Sequence, residues 1–285
     1  LTDGTPTPAT TITTPSARLF TLNSIAFDAD GTMWVASQDD SLLLAFGPSA
    51  SGASGSSPAT IVIAAKDGSI SGPTGIAFDR QHNLWVANAA NGTIVRFDKE
   101  SLATSGQPTP AVVLSGLGHP TSLAFDAVGT LWVSDNQANT VSRFLVGQLL
   151  TSGTKEAAIV LSSNSNSLVN PSGIAFDASN NLWVANTGNQ TIASFSVAQR
   201  GSSGAPVPSV VLSPGSSGLI IPVALAFDGE GSLWVMGGAG GLKKFEPDAL
   251  DGEGSQSSSR RILIDTHVLF WSIAFWPKPA GLPLN

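Results

Sequence analysis

Short runs of apolar, β-branched and aromatic residues alternate along this chain with turns rich in Asp, Asn, Gly and Ser. A small residue, Ile or Leu, Ala, Phe and usually Asp recur at 24–28, 75–79, 122–126, 173–177, 224–228 and 272–276, and in five copies a turn then leads to Leu/Met-Trp-Val. The Phe of each copy stands at 27, 78, 125, 176, 227 and 275, so the spacings are 51, 47, 51, 51 and 48 residues. Runs this short, bounded by turn formers, are half-buried strands. A period near fifty supplies four of them, which is one propeller blade. The chain is therefore expected to be all-β: a six-bladed β-propeller forming a single domain over 1–285.

The second repeat predicts strand a at 74–79, b at 84–88, c at 93–97 and d at 111–115. The turn after strand a begins with Asp in five copies, and Asp accepts backbone N–H bonds in such turns. The c–d connections at 47–58, 99–110, 147–156, 198–208 and 247–259 are polar and rich in Gly and Ser. They read as outer surface loops, the least constrained parts of the chain. The sixth blade is expected to be shared between the termini. Residues 272–276 supply its strand a, 281–284 its strand b and 7–13 its strand d, while strand c has no counterpart.

Charged residues make up 12% of the chain and net charge is -7, against roughly 25% charged residues in an average soluble domain. That argues against nucleic acid, whose phosphates need clustered Lys and Arg. No apolar run is long enough for a membrane span. The absence of Cys removes disulfides and thiolate chemistry. Low charge with abundant Gly, Ser, Thr and Pro fits an exported bacterial protein: extracellular, cell-surface or periplasmic. The chain begins at Leu1, so a leader or a larger N-terminal region is expected to have been removed.

The pattern Pro-x-Gly-Ile-Ala-Phe-Asp at 171–177, Asn-Leu-Trp-Val-Ala-Asn at 181–186 and Thr-Ile-x-x-Phe at 191–195 resembles the NHL-repeat β-propellers. Residues 73–97 and 120–144 follow it closely. The glycines at 237–241 and Trp276 depart from it. Relatives of that fold include gluconolactonase-like lactonases and streptogramin-type lyases, and fold alone does not carry function across.

The resemblance places ligands at the mouth of a central channel where the a-strands begin, beside the d–a and b–c loops. Alternation along strand a puts the Ser, Gly and Ala positions 24/26, 75/77, 122/124, 173/175, 224/226 and 272/274 on the channel wall. The bulky Ile/Leu and Phe then pack between blades. The ring just above, Asn23, Thr74, Thr121, Ser172, Val223 and Trp271, holds no carboxylate. That speaks against a lactonase-like metal site, since hard cations need oxygen ligands. All five Glu fall in c–d connections or turns of the other face, so a lyase-like His/Glu cluster is missing as well.

The expected ligand-binding residues at the mouth are Trp271, Asp135, Asp39, His119, Asn23, Asn88 and Asn186. The Asn and Asp of the b–c turns can equally be turn caps, and His119 a solvated side chain. Five Trp, at 34, 85, 132, 183 and 234, recur in strand b and belong to the core. The leading expectation is a non-enzymatic binding or scaffolding module taking a carbohydrate, peptide or protein ligand, with no catalytic residue, metal or cofactor. The alternatives are a hydrolase or lyase of the six-bladed propeller superfamily, and a purely structural domain of a larger surface protein.

Overall fold

The computed structural model describes residues 10–13, 21–50, 54–65, 67–163, 166–213, 221–238, 241–251, 260–262 and 272–275. After the two-residue β1 (Ile12–Thr13), blade one is β2 (Leu22–Phe27), β3 (Met33–Ser37), β4 (Leu42–Phe46) and β6 (Ile61–Ala64), with β5 (Gly55–Ser56) inside its last connection. Blade two is β7 (Pro73–Phe78), β8 (Leu84–Asn88), β9 (Thr93–Phe97) and β10 (Val112–Ser115). Blade three is β11 (Pro120–Phe125), β12 (Leu131–Asp135), β13 (Thr140–Phe144) and β15 (Ile159–Leu161), with β14 (Gly153–Thr154) before the last. Blade four is β16 (Pro171–Phe176), β17 (Leu182–Asn186), β18 (Thr191–Phe195) and β19 (Val210–Leu212). Blade five is β20 (Pro222–Phe227), β21 (Leu233–Gly237), β22 (Gly241–Phe245) and β23 (Arg260–Ile262). Every blade is an antiparallel meander, and the architecture is an all-β propeller.

Six blades were expected, and the described residues build five. Of the sixth, only the expected ends of strands a and d are described. Among the described residues, 272–275 make no strand ladder and β1 pairs with β5. Their contacts nevertheless follow the repeat. Ser272 Oγ accepts the backbone N–H of Ile25 at 3.1 Å, as Ser24 Oγ accepts that of Ile76 at 3.1 Å. Phe275 meets Trp234 edge-on at 6.2 Å. The 281–284 segment lies outside the described residues.

One device recurs in every blade. The Asp ending strand a (28, 79, 126, 177, 228) takes the backbone N–H four residues on at 2.8–2.9 Å through one oxygen. Its other oxygen accepts the indole N–H of the strand-b Trp at 2.8–3.1 Å. A buried indole needs such an acceptor. The ring then meets the Phe of the following blade edge-on at 5.9–6.3 Å. Each inter-blade cluster repeats the set. Ala77, Trp85 and Ile94 of blade two pack on Leu123, Phe125 and Leu131 of blade three.

The outer loops are more constrained than their composition suggests. Ser105 Oγ, Ser152 Oγ and Ser203 Oγ accept backbone N–H groups from strand d of the preceding blade, those of Val62, Val113 and Val160, at 2.9–3.0 Å. The next residue bridges that strand in parallel, as in Leu114 with Gly153 and Leu161 with Gly204. These Ser-Gly clamps cover the edge that strand d would otherwise expose. Leu102, Leu149 and Leu250, on short 3-10 turns of the second, third and fifth c–d connections, are buried. From the fourth connection, Arg200 reaches back to stack 5.1 Å from the ring centres of both Trp132 and Phe176, with its Nη1 3.5 Å from Asp126 Oδ2.

Two measurements check this packing. Trp183→Ala should lower the unfolding free energy by about 3–5 kcal/mol, the cost of losing a large buried aromatic, as read from denaturant titration. A loss under about 1 kcal/mol would place that ring at the surface. The second concerns Asp126. Burial pushes its carboxyl up, and hydrogen bonds from the Thr130 side chain and backbone, from Trp132 and from Val128 outweigh it, so the pKa is lowered from 3.8. A depressed carboxylate contributes stability that is present above its unfolded value and is lost as pH falls through the folded one. Asp126→Asn should therefore destabilise at pH 7, and its deficit against wild type should shrink as pH drops from about 4 to 2. A deficit independent of pH would show that the charge contributes nothing.

Candidate functional site

Where the a-strands begin, the propeller encloses a cavity of about 380 Å³. Its upper ring is Asn23, Thr74, Thr121, Ser172 and Val223, as the repeat alignment anticipates. Gln38, Asn136 and Thr187 from b–c turns, and Thr21, His119 and Ile221 from d–a connections, form the rim. Below them, one Ile or Leu per repeat borders the cavity: Ile25, Ile76, Leu123, Ile174, Leu225 and Ile273.

That wall corrects the expectation of a channel lined by Ala, Gly and Ser alone. The sheets are radial, so the edge of strand a faces the axis and its side chains alternate between the two neighbouring blades. Ala77 and Ala124 are buried in inter-blade clusters and do not line the cavity. The Ile/Leu side chains pack between blades and also border the cavity. At Gly173 a Cβ would lie 2.7 Å from Ala224 Cα and from Val223 O, so glycine there permits close approach of the two inner strands. Serines at the equivalent positions satisfy the exposed inner edge: Ser24, Ser122 and Ser272 accept the N–H of Ile76, Ile174 and Ile25 at 3.1, 3.5 and 3.1 Å. The hydroxyls of Thr74, Thr121 and Ser172 donate to the carbonyls of Pro120, Pro171 and Val223 at 2.8, 3.1 and 2.9 Å.

The expected site residues divide into three groups. Asn23 and His119 line the cavity, and Asn23 Nδ2 donates to Gln38 Oε1. Asp39 is exposed beside the rim, where it accepts from Thr21 Oγ1. Asn88, Asp135 and Asn186 do not line the cavity, for they are buried and committed to backbone. Asn88 Oδ1 accepts from Ser71 N at 3.0 Å, and its amide donates to Ser69 O at 2.8 Å. Asn186 repeats this with Val169 N at 3.1 Å and Ser167 O at 3.0 Å. Asp135 accepts four N–H bonds, from Gly118, His119, Gln137 and Ala138, at 2.8–3.1 Å. It holds the backbone of His119, not its ring. Trp271 lies outside the described residues.

Gln38 and Thr187 escaped the sequence reading, and Asn136 entered it only as one of the Asn and Asp of the b–c turns; each directly follows the last residue of strand b. Once the Asn or Asp at that last position folds inward as a cap, its successor is the one left facing the axis. Among the described lining residues there is no carboxylate, Lys or Arg, and His119 is the one titratable side chain. Among the described residues, no three His, Asp or Glu side chains come together as a metal site. Among the described residues, no helix is long and apolar enough to cross a membrane.

Residues 168–195 match the family model of the NHL repeat. No curated protein matches the chain by sequence. Among solved structures, the chain is similar to a catalytically inactive virginiamycin B lyase from Staphylococcus aureus with quinupristin, at 14% identity and TM-score 0.57, over 80% of this chain and 67% of that one. It is similar to a chain of a nidogen/laminin complex at 17% identity and TM-score 0.64, over 88% and 83%. An extracellular domain from a B. thetaiotaomicron protein aligns at 22% identity and TM-score 0.55, over 84% of this chain and 30% of the other. Likeness at these identities establishes the propeller fold, which hosts both lyases and binding proteins.

The structural role of the inward Asn is testable. Asn186→Ala leaves the N–H of Val169 without its acceptor and should cost on the order of 1–3 kcal/mol. A variant as stable as wild type would return Asn186 to the list of ligand-binding candidates.

Proposed function

We propose that this NHL-repeat propeller is a non-enzymatic binding module of an exported bacterial protein, closed by a sixth blade shared between its ends. Its ligand sits in the axial cavity, with Asn23 and His119 in contact and Asp39 beside the mouth. The observation that carries this reading is the chemistry of the lining: hydroxyls, amides and aliphatic side chains, with no described charged partner for His119. General acid–base catalysis uses titratable groups placed together and tuned by their surroundings. Here the nearest acid by sequence and hydrogen bonding, Asp135, is saturated by backbone N–H groups. Concave sites with a few polar groups over an apolar floor are typical of small-ligand binding. The low charge of the chain and its likeness to an extracellular bacterial domain support export.

A lyase or lactonase reading of the same mouth draws on the likeness to virginiamycin B lyase and on His119 at the rim. One set of assays separates the two. Purified protein is screened against sugar and peptide panels by calorimetry, and against lactones, esters and cyclic depsipeptides for turnover, with and without a chelator. Binding that survives chelation, weakens at least tenfold in Asn23→Ala and comes with no turnover is the expected outcome. Metal-dependent turnover abolished by His119→Ala would overturn the binding reading.

A further inference from the structure

The layering of the cavity defines what it can hold. At its upper levels the hydroxyls fall into two kinds. Ser24, Ser122 and Ser272 spend a lone pair on the next strand's N–H, so their O–H protons remain to be donated. Thr74, Thr121 and Ser172 give their protons to carbonyl oxygens, so lone pairs remain. A ligand group lodged here must therefore both accept and donate, as hydroxyl and amide groups do. A carboxylate, phosphate or ammonium would be buried without a charged partner, and that carries a large desolvation cost. Beneath the hydroxyls stands a ring of Ile and Leu, one from each repeat, largely packed between blades and presenting its inner margin to an apolar tail. The cavity measures about 380 Å³ and is open at the mouth, so the outer part of a larger head can project into solvent.

We infer that the axial cavity is a site for an uncharged amphiphile: an aliphatic tail among the Ile and Leu side chains and a hydroxyl-rich head in the ring of Ser and Thr. The inference rests on the binding reading above and narrows it to one ligand class. Exposed apolar side chains elsewhere, such as Val128 and Leu150, lie on loops of the opposite face, and they serve as a control surface.

The experiment uses hexyl, heptyl and octyl β-glucosides below their micelle concentrations, with glucose and octanoate as comparison ligands, titrated by calorimetry and protein NMR. One-site binding is expected, with Kd tightening about three- to fourfold per added CH2, which is what about 0.8 kcal/mol per methylene gives. Octanoate should bind at least tenfold more weakly than octyl glucoside, and glucose alone should not saturate. Ser122→Ala, whose lost bond to the Ile174 N–H is the longest of the three at 3.5 Å, should weaken octyl glucoside severalfold while keeping the wild-type NMR fold at the titration temperature. Leu150→Ser should leave it unchanged. A Kd independent of chain length, octanoate binding as tightly as octyl glucoside, or binding lost in Leu150→Ser would overturn the inference. If the glucosides fail while a sugar or peptide from the panels binds and is sensitive to Asn23→Ala, the ligand class is wrong and the binding reading stands. If nothing binds and a lactone or ester is turned over, both are wrong.

Discussion

The bond between a strand-b indole and the carboxylate that closes strand a is the constraint on which this propeller depends. A Trp brings the area needed to fill the wedge between radial sheets, but its N–H cannot be buried alone. The Asp meets that need and caps the a–b turn with the same carboxylate. The fixed indole then receives the edge of the next blade's Phe. Turn, blade and ring are thus set by three side chains repeated at the same spacing. Where strand c places Arg96, Arg143 or Lys244 opposite the Trp, a cation lies over the ring as well.

Much of this was legible in the residues. The Phe spacing gave the blade length, the Asp positions gave the turns, and the Trp series gave the core. The faces of strand a were legible only in part, for a physical reason. Ile/Leu and Phe pack between blades and Ser24, Ser122, Gly173, Ala224 and Ser272 border the cavity, but Ala77 and Ala124 do not. Alternation shows that a strand has two faces, but not what each face meets. In a sheet with one wet face the small residues would look toward the channel, whereas in a radial sheet both faces meet protein and the strand's edge looks toward the axis. The b–c turns show the same limit. Asn88 and Asn186 carry polar side chains at the mouth in sequence, and the fold turns them inward to hold the d–a connection. Composition also concealed the clamps, because Ser and Gly read as loop whether or not a neighbouring edge is waiting for them.

The cavity inherits its neutrality from the same repeat. Each inner strand must satisfy N–H and C=O groups that no sheet neighbour reaches, and short hydroxyl side chains do this without crowding the axis. A carboxylate or a Lys in that ring would face five similar strands and no described counter-charge. The chemistry available at the mouth is therefore recognition by hydrogen bonds and apolar contact. That matches a protein with few charges of any kind.

The described outer clamps run in one direction: the connections of blades one to four each grip the strand before their own blade through Ser54, Ser105, Ser152 and Ser203. Such a ring has polarity, like a chain of people each holding the shoulder of the person in front. Removing a blade from one end leaves a bare strand edge, the template on which chains aggregate. Removing one from the other end leaves only a spare loop. Duplicating an internal repeat brings both the grip and the edge that it grips, so an added blade arrives with its own fastening. A fold built this way can change its number of blades over evolutionary time without inventing a new interface.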